Sequence, residues 1–239
     1  MALHFLAWEL MLLEERVNMM ERRVQRRRLR DAQNPYDLPD AEFRRSFRIS
    51  PELSLMITDS LRPFLIRQRS TGLSPEIQVL VAVNFYAHGS YQRTTGDRFD
   101  FCVSPSTVSR CLHSVTDLIN QRLLRPWVKF PVSREDRQAA RLKFRNAPQP
   151  FEGTLGAIDC TYINIIAPVD HEEAFVNHHQ NHSLNVQAVV DPTLKVLNIN
   201  ARYPGARNDA YIWSVSPIRQ VMEQNYGAGE RHLWLIGMS

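Results

Sequence analysis

Thr154-Leu155-Gly156-Ala157-Ile158-Asp159-Cys160-Thr161-Tyr162-Ile163-Asn164-Ile165-Ile166-Ala167 is the stretch on which the fold of this 239-residue chain turns. It is rich in apolar and β-branched residues and alternates around Ile158, Tyr162 and Ile163-Asn164-Ile165, which predicts a strand. It carries a single acid, Asp159. A carboxylate buried in mid-strand is costly unless it is paired or bound to a metal, so Asp159 is the first candidate for chemistry. Outward from this strand, residues 184–190 read as a second strand closed by Asp191-Pro192. Residues 195–201 read as a third. Asp191-Pro192-Thr193-Leu194 between them is turn chemistry, which predicts an antiparallel hairpin. Residues 208–225 have helical periodicity, with Pro217 as a point of interruption, and residues 233–236 read as a fourth strand.

Upstream of this β-rich part the chain reads as almost wholly helical. In residues 3–30, Leu6, Leu10, Leu13, Val17, Met20 and Val24 recur at steps of three and four. Asp40 is expected to cap a short helix running to Phe47. Ser50-Pro51, Ser74-Pro75 and Ser104-Pro105 each read as an N-cap followed by proline in the first turn. Residues 74–122 then read as helix, glycine-containing turn, short helix at about 92–99, turn and capped helix, a helix-turn-helix pattern. On the last of these helices Ser106, Ser109, Arg110 and His113 lie off the apolar face. Short polar and arginine side chains near a helix start can meet phosphates and base edges, and an ordinary helical bundle has the same pattern. Residues 126–131 read as a linker and 133–145 as a further basic helix. Pro148-Gln149-Pro150 marks the change of texture, so the expected division is 1–35, 36–147 and 148–239, an α/β chain overall.

Composition narrows the class. The chain is 44% hydrophobic and 23% charged, which excludes disorder along its whole length. No stretch approaches the ~18 apolar residues of a membrane span. Residues 1–13 are apolar but carry Glu9 and lack a basic flank, so they are not read as a signal peptide. Cys102, Cys111 and Cys160 form no CxxC pair, which points to a reducing compartment. The net charge of +4 hides an uneven distribution. Residues 44–145 hold 15 Arg and 2 Lys against 8 acids, whereas residues 146–239 hold 4 Arg and 1 Lys against 9. A basic part suited to a polyanion is thus joined to an acidic part. The run Arg22, Arg23, Arg26, Arg27, Arg28 and Arg30 reads as a nuclear-import or phosphate-contacting cluster, or as cations suited to a helix end. The expected location is the nucleus, with the cytoplasm as an additional place.

A second acid, Asp209, follows Tyr203-Pro204-Gly205-Ala206-Arg207-Asn208 at a glycine turn entering a helix. Alone it reads as a first-turn acid. Together, Asp159 and Asp209 at one end of a sheet would suit Mg²⁺ or Mn²⁺, which prefer oxygen ligands. His178, His179 and His182 offer a weaker zinc reading against that of a solvated loop.

These segments resemble one family. Gly156 to Thr161, Phe175-Val176-Asn177, His182 to Asp191, Ala201 to Asp209 and Leu233-Trp234-Leu235-Ile236-Gly237 are similar to the Harbinger (PIF/Harbinger) transposase-derived nucleases of the DDE superfamily. Phe85 to Gln92 and Val103 to Arg110 resemble that family's helical region, and the likeness runs over about residues 36–239. It implies a ribonuclease H-like core, here an incomplete mixed sheet after a helix-turn-helix-like region. It also implies phosphodiester cleavage by a divalent metal on Asp159 and Asp209, DNA as substrate and a Myb-like DNA-binding partner protein. Two departures stand out. Met238 occupies the place of the family's third acid, and the family's final glutamate has no counterpart in this sequence. Tyr162 replaces the family's histidine. The expectation is therefore a nuclease fold with absent or weak activity in this chain, set against a non-catalytic DNA-binding or adaptor role for residues 36–145, or a role for them in protein interaction.

Overall fold

The computed structural model describes residues 2–66, 72–89 and 91–237, and only the backbone of Ala2 and Leu3. Met238 therefore lies outside the described residues. The chain divides into two compact units, Met1–Leu124 and Arg125–Ser239.

The first unit is helical: α1 (Ala2–Asp31), α2 (Asp40–Phe47), α3 (Pro51–Leu65), α4 (Pro75–His88), α5 (Gln92–Gly96) and α6 (Pro105–Leu118). The three serine-proline pairs do what their chemistry predicts. Ser50, Ser74 and Ser104 accept from the amides of Leu53, Ile77 and Thr107 at 3.2, 3.3 and 3.3 Å, each satisfying an orphan donor of the first turn. Asp40 differs from expectation. Pro39 occupies the cap position without a side-chain bond, and Asp40, the first helical residue, pairs with Arg44 one turn on at 2.7 Å. Helix α4 is buried on every side and forms the axis of the unit. Its polar residues are held from within: Gln78 donates to the Leu65 and Leu73 carbonyls, and Asn84 donates to that of Ser46. Phe43, Phe47, Leu61, Phe101 and Val108 form the core with its Leu80. Helix α5 ends at Gly96, short of the expected residue 99. The chain turns there to bring Phe101 and Asp100 inward, and Asp100 is buried in a two-bond pair with Arg98 at 2.9 and 2.7 Å. The Arg98 guanidinium lies over the Phe47 and Phe101 rings.

The second unit carries α7 (Arg125–Trp127), α8 (Arg134–Arg145), β1 (Thr154–Asn164), α9 (Glu172–Phe175), β2 (Ser183–Val190), β3 (Val196–Pro204), α10 (Asp209–Ser214), α11 (Pro217–Gly227) and β4 (Trp234–Gly237). The sheet order is β3-β2-β1-β4. Strands β1, β2 and β3 are antiparallel neighbours, and β4 runs parallel to β1. Pro217 divides the expected helix in two, with buried Ser216 capping the second part at the Ile218 amide. Helix α8 belongs to this unit, so the structural division falls at 124/125 rather than at 147/148. Sequence texture groups α8 with the helices. Its side chains tie it to the sheet: Lys143 pairs with Asp191 at 3.0 Å, Arg137 pairs with Glu230, and Phe144 is buried. Among the described residues, no helix is long and apolar enough to cross a membrane.

Candidate functional site

Pairing in the sheet decides where Asp159 sits. The β1–β4 ladder runs from Thr154–Trp234 to Ile158–Gly237. Asp159 is the next residue of β1 after the last described β4 partner. It is exposed, not buried as the sequence reading expected. One of its carboxylate oxygens accepts from the Cys160 amide at 2.8 Å. Strand alternation turns Cys160 and Tyr162 toward the opposite face, where they stand opposite Gln187 and Asn185 of β2.

Asp209 reaches this place by a different route. Strand β3 ends in the turn at Pro204-Gly205, which lies flat on β2. The Gly205 amide donates to the Ser183 carbonyl at 2.8 Å, and a Cβ on Gly205 would stand 2.6 Å from the Phe175 carbonyl oxygen. Asn208 then caps α10 by accepting from the Tyr211 amide at 2.8 Å, and Asp209 is the first helical residue. Asn185, buried in β2, donates both to the Arg207 carbonyl and to Asp209 Oδ1, each at 2.8 Å. It thereby fixes the turn and the carboxylate together.

Asp159 and Asp209 line one cavity of about 670 Å³, with Cys160, Gln187, Trp213 and Trp234 among its walls. The Cys160 thiol senses both acids. Burial, then the charges of Asp209 and Asp159, push its pKa up to about 11, so it stays protonated and inert at neutral pH. Burial and the Asp209 charge also push the Tyr162 phenol up. The Gln187 side-chain carbonyl is buried without a hydrogen-bond partner. The Asp209 carboxylate and the Gln187 amide oxygen are hard donors on the Cys160 face, and Asp159, whose neighbour Cys160 takes that face, lines the same cavity with a second carboxylate. Among the described residues no group of three or more His, Cys, Asp or Glu gathers for a metal. The set suits a cation that keeps much of its water, as Mg²⁺ does. The three histidines look to other partners, His178 to the Tyr162 hydroxyl at 3.2 Å, His179 to the His178 ring at 3.8 Å between centroids, and His182 to Glu172 at 2.8 Å.

The helical unit has a separate polar feature. Arg22, Arg23, Arg26, Arg27 and Arg30 of α1 and Arg110 of α6 line one groove of about 630 Å³, with Ser104 and Thr107 at its wall. Two acids pair with these arginines, Asp97 with Arg26 at 3.6 Å and Asp31 with Arg27 at 3.4 Å and with Arg30 at 3.1 Å. Ser106, Ser109, Arg110 and His113 share one arc of α6, with Ser106, Arg110 and His113 exposed. Arg110 alone of these four lines the groove, and Arg28 points elsewhere.

Sequence reasoning missed Asn185 and Gln187. Their signal was present in Leu184-Asn185-Val186-Gln187-Ala188, where two amides at i and i+2 interrupt an apolar strand on one face. It missed the groove too, although Arg22, Arg26 and Arg30 are one helical turn apart.

Comparison with known proteins places this geometry. Residues 158–237, which include both acids, match the model of a DDE superfamily endonuclease family. The human protein described as "Putative nuclease HARBI1" is 31% identical over 219 residues, covering 91% of this chain and 59% of that protein. Its Xenopus laevis counterpart is 32% identical over 202 residues, covering 84% and 56%. An Arabidopsis thaliana "Protein ALP1-like" is 26% identical over 154 residues, covering 64% and 36%. The chain thus spans little more than half the length of the nuclease relatives it matches. No solved structure matches.

Proposed function

With a DDE superfamily endonuclease domain and kinship to the Harbinger-derived nucleases as the premise, we propose that the sheet unit is a divalent-metal phosphodiester-cleaving core and that the helical unit holds DNA. The observation that carries the reading is the pair Asp159 and Asp209, brought from β1 and α10 to one cavity beside the parallel β1–β4 pair. In this reading Asp159 and Asp209 are the catalytic and metal-binding acids of a ribonuclease H-like core. Asp159 offers an exposed carboxylate that a polymer can approach. Asp209 offers a second, held in orientation by Asn185. Gln187 adds an amide oxygen from the cavity wall. Bound Mg²⁺ or Mn²⁺ would supply Lewis acidity at the scissile phosphate and a more acidic water. Cys160 keeps its proton and contributes bulk and dryness rather than nucleophilicity.

Met238 stands where the resemblance puts a third acid and offers no hard oxygen donor, so cleavage by the chain as given is weak or absent. The test is nicking of supercoiled plasmid with Mn²⁺. The Met238→Asp variant should nick faster than the unmodified chain, and adding Asp159→Asn should abolish the gain. Nicking that ignores Asp159 would remove the enzymatic reading.

The groove supports a second, non-catalytic role. Six guanidiniums in one groove and the exposed arc of α6 suit a phosphate backbone, and Ser106, Ser109, Arg110 and His113 would meet it from α6. A gel shift of the full chain on duplex DNA should weaken steeply with salt. Absence of any shift at low salt would leave the helical unit to protein docking, with a Myb-like partner, and a nuclear pull-down would then be the measurement. The same arginine run would direct the protein to the nucleus, which imaging of a tagged chain with and without Arg26 to Arg28 would test.

A further inference from the structure

Helix α1 carries arginines on one face of its C-terminal half and a continuous apolar stripe on another, while Phe5, Trp8 and Met11 are exposed apolar residues outside that stripe. Met19, Arg22, Arg23, Arg26, Arg27 and Arg30 face the groove shared with α6. At about 100° per residue, the stripe Leu6, Leu10, Leu13, Val17, Met20 and Val24 lies about 130° around the helix from them. All six of these side chains are between 51% and 64% exposed. Their spacing is four, three, four, three, four, the alternation of heptad a and d positions. A stripe of this spacing that its own unit leaves uncovered is suited to the seam of two helices that supercoil.

We propose that α1 pairs with α1 of a second copy of this chain as an antiparallel two-stranded coiled coil. The seam is complementary to itself in that direction. Leu6 meets the partner's Val24, Leu10 meets the partner's Met20, and Leu13 meets the partner's Val17. Symmetry repeats the three, giving six wholly apolar layers. The flanking charges select the direction. Antiparallel, Glu9 faces the partner's Arg23 twice, against one Glu14–Glu14 and one Arg16–Arg16 contact across the two-fold axis. Parallel, Glu9 faces the partner's Glu14 and Arg23 faces the partner's Arg28, each twice, with only Arg16 and the partner's Glu21 attracting. A parallel pair would also bring together two runs of six arginines, Arg22 to Arg30. The antiparallel pair puts those runs at opposite ends and opposes the helix dipoles. Pairing in this way covers the seam and leaves the arginine groove on the outer side of each helix.

The test is sedimentation equilibrium of the full chain at up to about 50 μM in 0.3 M salt, chosen to suppress bridging by nucleic acid. A dimer is expected. Leu13→Glu with Val17→Glu should yield a monomer whose thermal transition, followed by circular dichroism, is retained. Arg23→Glu should weaken the dimer by about fivefold, as expected for two surface ion pairs made repulsive, and Glu9→Arg added to it should restore the affinity. A wild-type monomer at the highest concentration, or a dimer indifferent to Leu13→Glu with Val17→Glu, would overturn the proposal. A dimer strengthened by Arg23→Glu would overturn the antiparallel arrangement, since only the parallel one gains from that reversal.

Discussion

The helical unit and the sheet unit solve the same problem, placing charge on a folded surface, in opposite ways. In the helical unit the decisive contacts are local. Three serine caps set the helix starts, and the arginines of the groove come mainly from successive turns of one helix. In the sheet unit the decisive contacts are distant in sequence. Asp159 and Asp209 are 50 residues apart and line one cavity, with Asp209 held there by Asn185 of β2. A groove built from one helix tolerates the loss of one member, whereas a cavity assembled from three elements depends on every joint. Perturbations of each unit can sharpen or break that contrast.

The largest effect is expected in the helical unit, at the one place where it too relies on a buried charge. Asp100→Ala leaves the Arg98 guanidinium unpaired against Phe47 and Phe101 and should cost about 3–5 kcal/mol. Urea unfolding followed by fluorescence would read it, and a change below about 1 kcal/mol would mean that Arg98 finds water instead. In the sheet unit, Gly205→Ala forces a Cβ against the Phe175 carbonyl and the Ser183 hydroxyl and should cost about 1–3 kcal/mol. It should also lower DNA nicking by the Met238→Asp chain more than it lowers stability, because it displaces Asp209.

Asp191 gives the sheet unit a pH dependence. Burial would raise its carboxyl pKa, but hydrogen bonds from Thr193 and Lys143 and from the Lys195 and Thr193 amides outweigh burial and hold it at about 2. The folded value lies below the unfolded one, so the stabilisation is full above about pH 4 and is lost as pH falls toward 2. It amounts to about 2 kcal/mol. Asp191→Asn should flatten stability over that window, and an unchanged slope would show that Lys143 does not hold α8 to the β2–β3 turn. The smallest effect is local. Ser104→Ala should cost about 1 kcal/mol and fray the start of α6. If the groove is phosphate-binding, replacing Arg22, Arg26 and Arg30 by Gln should reduce the salt slope of DNA binding by about 3.

The same contrast separates what is legible in the amino-acid sequence from what is not. Helix starts in the helical unit are legible because Ser-Pro is a local signal, sufficient without knowledge of the rest. The β2–β3 hairpin is legible from Asp191-Pro192 for the same reason. The strand-strand-strand-helix-strand order is legible from periodicity. The exposure of Asp159 is not, because strand periodicity alone does not say which side chains of β1 the other elements cover. Nor is the allegiance of α8, whose basic surface looks like that of the helices preceding it until Lys143 finds Asp191 and Arg137 finds Glu230. Asn185 escapes notice because an asparagine in an apolar strand gains its meaning only from Arg207 and Asp209, more than 20 residues on.

The most direct test of the metal reading is Mn²⁺ binding to the full chain followed by electron paramagnetic resonance. Binding of the free ion should be weakened by at least about tenfold in Asp159→Asn and in Asp209→Asn, weakened by about tenfold in Asn185→Ala through loss of orientation, and tightened in Met238→Asp. Equal binding by all of these proteins would contradict the assignment of Asp159 and Asp209 as the metal-holding pair.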